Sequence, residues 1–257
     1  METERIAVVT GAGRGIGRAS ALALAANGFR IMVTARSRDE LQAVVAEIES
    51  TGGTAMAMDD DLADPLAVDR VIGHVENTWG AVEVLVNNAG IGSSQSPLAL
   101  VEFDDAFWDL TFAVNVTAPY RLTKRVLPGM LRENWGRIIN IASINARVAS
   151  LHGAAYTASK HALAGLTKAT AKEVEGTGIT ANAVCPGMTA TQLNDKRLEY
   201  DANRLGKSIE QLEVEASPLG RRITPAEVAF TVAFLADEKA TAINGQMINV
   251  CGGRVVQ

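Results

Sequence analysis

The chain has 257 residues, of which 47% are hydrophobic and only 5% aromatic, enough to close one sizeable core built mainly from Ala, Val, Leu and Ile. Its 24 Lys and Arg stand against 29 Asp and Glu, so no general basic face exists for nucleic acid or an anionic membrane, and any anion must be caught by a local site. Two cysteines, Cys185 and Cys251, in apolar settings exclude a disulfide scaffold, and three histidines with no Cys/His spacing give no reason to expect a metal.

The first residues, Met1-Glu-Thr-Glu-Arg5, are acidic where a signal peptide is basic, and no apolar run reaches the ~20 residues of a membrane span; a cytoplasmic protein is expected. Short β-branched runs then alternate with helical patterns. Strands are predicted at 6–10, 31–34, 82–86, 137–141, 179–184 and 247–250, with a weaker one at 54–58. Most are apolar along their whole length, as in strands covered on both faces. A helix is read over 18–26, and two more begin at hydroxyl caps three residues before a Glu: Ser37 with Glu40, and Thr224 with Glu227, where Pro225 suits the first helical position.

These signals predict an α/β fold: a single-domain, Rossmann-like, doubly wound parallel β-sheet flanked by helices on both faces, occupying residues 1–257. Ligands of such sheets bind beyond the carboxyl ends of the strands. One stretch breaks the rhythm. Residues 188–222 are polar and charged, with no strand pattern and helical spacing only in 208–215, and are read as a lid over a site.

The first strand runs into Gly11-Ala-Gly-Arg-Gly15-Ile-Gly17 and then a helix, an arrangement in which glycines admit a pyrophosphate to a helix N-terminus. The spacing is G-x-x-x-G-x-G rather than G-x-G-x-x-G. Further along stand Asn87-Asn88-Ala89-Gly90 at the end of the fourth strand, Ser143 after the fifth, and Tyr156 four residues before Lys160, which puts phenol and ammonium on one helical face. Pro186-Gly187-Met188-Thr189-Ala190-Thr191 follows the sixth strand. In these motifs and their order the chain resembles the single-domain branch of the short-chain dehydrogenase/reductase family, notably 3-oxoacyl thioester reductases, polyketide ketoreductases and 3-hydroxybutyrate-type dehydrogenases.

The resemblance implies a nicotinamide dinucleotide held by Gly11, Arg14, Gly15, Ile16 and Gly17, by Asp61 and Leu62 at the adenine, and by Asn88, Ala89 and Gly90 beside the adenosine ribose. Pro186, Gly187, Thr189 and Thr191 would hold the carboxamide. The second strand ends in Thr34-Ala35-Arg36-Ser37, with no acid at its tip for a ribose 2′-hydroxyl. Arg14 and Arg36, with Ser37, are therefore expected at an adenosine 2′-phosphate, making NADPH the expected cofactor and NAD the alternative. The other reading is two solvated surface arginines. Asp39 and Glu40 are assigned to the positive end of the next helix.

The same resemblance makes Tyr156 the general acid, Ser143 the donor to the substrate oxygen, Lys160 the residue that binds the nicotinamide ribose and, with the positive nicotinamide of the oxidised cofactor, lowers the Tyr156 pKa, and Asn115 the holder of a water behind Lys160. Bringing a tyrosine from about 10 to about 7–8 takes ~3–4 kcal/mol of differential stabilisation. His152 and Gln192 are candidate substrate contacts, with packing or surface roles as the alternative for His152. The implied activity is reduction of a ketone, 3-oxoacyl or another small to medium carbonyl, to a secondary alcohol. An NAD-linked secondary-alcohol or 3-hydroxyacyl dehydrogenase, or a non-catalytic nucleotide-binding regulator, remain alternatives. By resemblance the assembly is a homotetramer or homodimer.

Overall fold

In each strand, successive residues point to opposite faces, and both sets are apolar. Val8, Met32, Leu85 and Ile138 face one way, onto the helices α3 (Ala67–Thr78) and α5 (Ala118–Glu133); Ala7, Val9, Ile31, Val33, Val84, Val86 and Ile139 face the other. That second face is covered by α1 (Gly15–Ala26), α2 (Arg38–Ser50) and α9 (Pro225–Ala236). Helices on both faces are the reason the runs read as continuously apolar. The structure, a computed structural model, describes residues 4–256; Met1 to Thr3, part of the acidic leader read above, and Gln257 lie outside the described residues.

Among the described residues seven strands form one parallel sheet: β1 (Ile6–Thr10), β2 (Arg30–Ala35), β3 (Ala55–Asp59), β4 (Val84–Asn87), β5 (Gly136–Ile141), β6 (Ile179–Pro186) and β7 (Met247–Val250). Their order is β3-β2-β1-β4-β5-β6-β7, with every neighbouring pair parallel. The predicted strands all form, with ends shifted by one or two residues. The order reverses between β1 and β4, which opens a crevice at their carboxyl ends.

Three departures from the sequence reading matter. Residues 188–222 are more regular than read: besides the helix expected over 208–215, which forms as α8 (Ile209–Glu215), they hold α7 (Gln192–Leu205), the two started by side-chain caps at Ser208 and Thr191 and separated by a left-handed Gly206. The ends of this segment are stitched together where Thr189 pairs with Ile223. A helix over Asp105–Glu133 carries a π-helical turn at Ala113–Thr117 that turns Asn115 fully inward; its first part is α4 (Asp105–Phe112). Finally, the cap at Thr224 and Glu227 closes as expected, whereas Ser37 makes no cap hydrogen bond with its side chain.

At the opposite end of the sheet Arg137 is fully buried and donates to the carbonyls of Gly136, Gly178, Asp237 and Glu238 and to the Thr241 hydroxyl. Trp135 stacks against both Arg5 and Arg137, at 3.5 and 4.5 Å from its ring centroid. No helix among the described residues is long and apolar enough to cross a membrane.

Candidate active site

A cleft of about 1250 Å³ opens at the β1/β4 reversal and runs beneath the lid. Gly11 and Gly15 adopt φ of 61° and 55°, the left-handed region where a side chain is strained. A Cβ on Gly17 would lie 2.3 Å from the Gly11 carbonyl oxygen, so the start of α1 packs directly on the loop. Gly17 is therefore buried behind the cleft, while Gly11, Arg14, Gly15 and Ile16 line it. No side chain caps α1 and no acid sits in its first turn, leaving its amides free. This backbone-walled hollow against an uncapped helix N-terminus suits a pyrophosphate.

The far wall is held by a small network. The Thr10 hydroxyl accepts from the amides of Asn88 and Ala89, and the Asn88 side chain donates to the carbonyls of Thr10 and Gly11 at 2.8 and 3.1 Å. Asn87 donates to Asn140, which donates to Thr167, all buried between strands and α6 (Ala154–Glu173). The Asn side chains thus fix the strand ends, and Ala89 and Gly90 line the cleft.

At the adenosine end, Arg36, Ser37, Asp61 and Leu62 all line the cleft. Within the run of three aspartates, Asp60 and Asp61 both line the cleft; Asp60 pairs with Arg70 through two 2.7 Å bonds, which hold its carboxyl below the usual range, and Asp61 accepts from the Ala63 amide at 3.0 Å. Arg14 does not stand free: its guanidinium donates to Gln192 at 2.8 Å and to Glu40 at 3.3 Å. Glu40 stands in the first turn of α2, as expected, and also lines the cleft.

Ser143, Tyr156 and Lys160 meet at the cleft floor. Ser143 follows β5 and is 6% exposed; its hydroxyl accepts from the Asn145 amide and donates to the Asn145 side chain at 3.3 Å. Lys160 is buried, with Nζ donating to the Ile141 carbonyl at 2.8 Å and 5.6 Å from the Tyr156 ring centroid. Burial lowers the Lys160 ammonium to about 8 and pushes the Tyr156 phenol up, opposed by the Ser143 hydroxyl beside it.

Asn115 is fully buried on the π-helical turn behind Lys160. Its Oδ1 accepts from the Ile91 amide at 2.8 Å, and its Nδ2 donates to the Ile91 carbonyl and to Ser159, both at 3.0 Å. Ser159 in turn donates to the Tyr156 carbonyl. Asn115 therefore ties the loop after β4 to the helix bearing Tyr156 and Lys160, as a positioning residue. The Thr189 and Thr191 hydroxyls are similarly committed to local backbone, that of Thr189 to the Gly187 carbonyl at 3.0 Å and that of Thr191 as the cap of α7. Pro186, Gly187, Thr189 and Thr191 line the cleft.

The two candidate substrate contacts are placed differently from each other. His152, at φ 54°, bonds the Tyr200 hydroxyl through Nδ1 and stacks edge-on against that ring; it does not line the cleft. Gln192 lines the cleft, and its Oε1 accepts from Arg14 Nη1. Both tie the 188–222 segment to its surroundings. Arg197, buried on α7, adds bonds to the Leu151 carbonyl, Asp201 and Ser93, and Ser94 donates to the Leu193 carbonyl. Asn145 and Arg197 went unnoticed as site residues because nothing in their local sequence separates them from ordinary loop or helix polar residues.

A model of the short chain dehydrogenase family matches residues 5–202. The chain is 38% identical over 259 residues to D-beta-hydroxybutyrate dehydrogenase of Cupriavidus necator, covering 98% of both chains. It is 40% identical over 256 residues to a 3-oxoacyl-[acyl-carrier-protein] reductase of Synechocystis, covering 99% of this chain and 98% of the relative. Among solved structures it matches a variant of actinorhodin polyketide ketoreductase with NADPH, at a TM-score of 0.92 and 37% identity over 98% of each chain.

Proposed function

The chain belongs to the short-chain dehydrogenase family, and we propose that it reduces a ketone, 3-oxoacyl or another small to medium carbonyl, to a secondary alcohol with NADPH. The observation that carries this reading is the convergence of Ser143, Tyr156 and Lys160 on one cleft floor, continuous with the glycine cradle and with Arg14 and Arg36. The 3-oxoacyl reductase and the ketoreductase solved with NADPH support it.

When bound, the reduced nicotinamide supplies the hydride. Tyr156 donates its phenolic proton to the carbonyl oxygen, completing the alcohol. Ser143, swinging its hydrogen from Asn145, donates to the same oxygen and stabilises its growing charge. The buried Lys160 ammonium stabilises the phenolate left behind, and its site beside Gly90 suits it to bind the nicotinamide ribose. Asn115, through Ile91 and Ser159, keeps these groups in register. The lid, fastened by Gln192, Arg197 and Tyr200, excludes water.

A screen of ketones and β-ketoesters with NADPH and NADH, in both directions, tests the proposal. Reduction with NADPH is expected; oxidation of secondary alcohols or 3-hydroxyacyl compounds with NAD alone would establish the second reading. That second reading is favoured by one feature, the Glu40 carboxylate on Arg14, and by the hydroxybutyrate dehydrogenase relative. We also propose a cytoplasmic homotetramer or homodimer. Phe230 and Phe234, 75% and 46% exposed on α9, support association; size-exclusion chromatography with light scattering tests it.

A further inference from the structure

We propose that Glu40 is a specificity-determining residue that opposes the adenosine 2′-phosphate by holding the Arg14 guanidinium, so that the protein discriminates less sharply between NADPH and NADH than its two arginines alone would dictate. The inference rests on the reading of Arg14 and Arg36 as the phosphate site.

Three helices begin with a hydroxyl cap followed three residues later by Glu or Gln. In two, the reciprocal bonds form: Thr224 with Glu227, and Ser208 with Gln211. At Ser37 neither bond forms, although Ser37 has the extended backbone of a cap and Glu40 stands at the right position. The Glu40 side chain has left its own helix end for the glycine loop, where Oε1 accepts from Arg14 Nη1 at 3.3 Å.

Gly13 carries the second argument. Its backbone is not left-handed, so the turn does not demand glycine there. A Cβ at Gly13 would lie 2.8 Å from Glu40 Oε2 and 2.9 Å from Glu40 Cβ. The missing side chain makes room for Glu40. The loop and the carboxylate are fitted to each other, and the open cap of α2 is the consequence.

Arg14 is thus shared between a carboxylate on α2 and Gln192 on the lid, while remaining 60% exposed at the cleft rim. A 2′-phosphate, carrying about −1.5 to −2 charges, must draw Arg14 from an anionic partner and accept that anion nearby. NADH meets no such competition. Replacing the carboxylate with an amide of the same shape keeps the packing on Gly13 and removes the charge.

The test is isothermal titration calorimetry of the full chain and its Glu40→Gln variant with NADPH and with NADH, which reads binding without turnover. NADPH is expected to bind about threefold to tenfold more tightly to Glu40→Gln, with NADH changed by less than about twofold. In an Arg14→Ala background the same substitution is expected to give less than half that gain. An unchanged or reduced NADPH-to-NADH affinity ratio in Glu40→Gln overturns the proposal, and an undiminished gain without Arg14 overturns the part assigned to that residue. Tighter binding of NADH than NADPH by the unaltered chain would instead defeat the cofactor reading, whichever way the variant shifts the ratio.

Discussion

The ammonium of Lys160 donates to the backbone carbonyl of Ile141 across 2.8 Å, so that the last residue of β5 and the catalytic face of α6 are joined by one buried charge. Its pKa is lowered from 10.5 to about 8 by desolvation. Between those two values the unfolded chain binds the extra proton and the folded protein does not, so stability rises with pH; below about 8 the full cost of the buried charge is present. Lys160→Met removes this dependence. From about pH 7 to about pH 10 the stability of the natural chain relative to that variant is expected to improve by about 2.5 kcal/mol, measured by urea unfolding at each pH.

Tyr156→Phe is expected to lower turnover at least about 10²-fold while leaving NADPH affinity within a few-fold. Steady-state kinetics alongside titration of the cofactor checks both halves. Turnover like that of the natural chain would remove Tyr156 from the role of acid.

Arg36 lines the cleft and makes no ion pair among the described residues. Arg36→Ala is expected to weaken NADPH at least about tenfold, the size of one charge-assisted bond, and NADH hardly at all. Equal losses for both cofactors would make the residue structural.

Arg197 joins α7 to the 145–153 loop through the Leu151 carbonyl and to Asp201 on its own helix. Arg197→Ala leaves that carbonyl without its donor and Asp201 with Arg204 alone, so the lid is expected to open more often. The outcome is a KM raised by about tenfold or more and faster proteolysis within 188–222, with the global melting transition little changed. Unchanged proteolysis would show that the remaining fastenings suffice.

Arg137 lies at the opposite end of the sheet from the cleft and uses its guanidinium on five acceptors. Arg137→Met strands several of them and is expected to cost at least about 2 kcal/mol of stability, read by chemical denaturation, with KM for substrate preserved. A change confined to kinetics would contradict this placement.

The sequence by itself determined the sheet, because parallel strands buried on both faces must be apolar throughout, and it determined the cradle, because Gly11 and Gly15 occupy backbone conformations that other residues resist. The helical spacing of Tyr156 and Lys160 likewise put them on one face before any fold was seen. Tertiary structure alone decided where long polar side chains point. Glu40 left its own helix cap for the glycine loop, Gln192 and His152 became fastenings of the lid, and Asn115 turned inward on a π-helical turn to hold Ile91 and Ser159. These side chains have several acceptors within reach, and local spacing does not choose among partners brought together from distant parts of the chain. The folded surroundings also decided the acid–base poise of the site, since the desolvation that raises Tyr156 and lowers Lys160 exists only after α6 packs against β5.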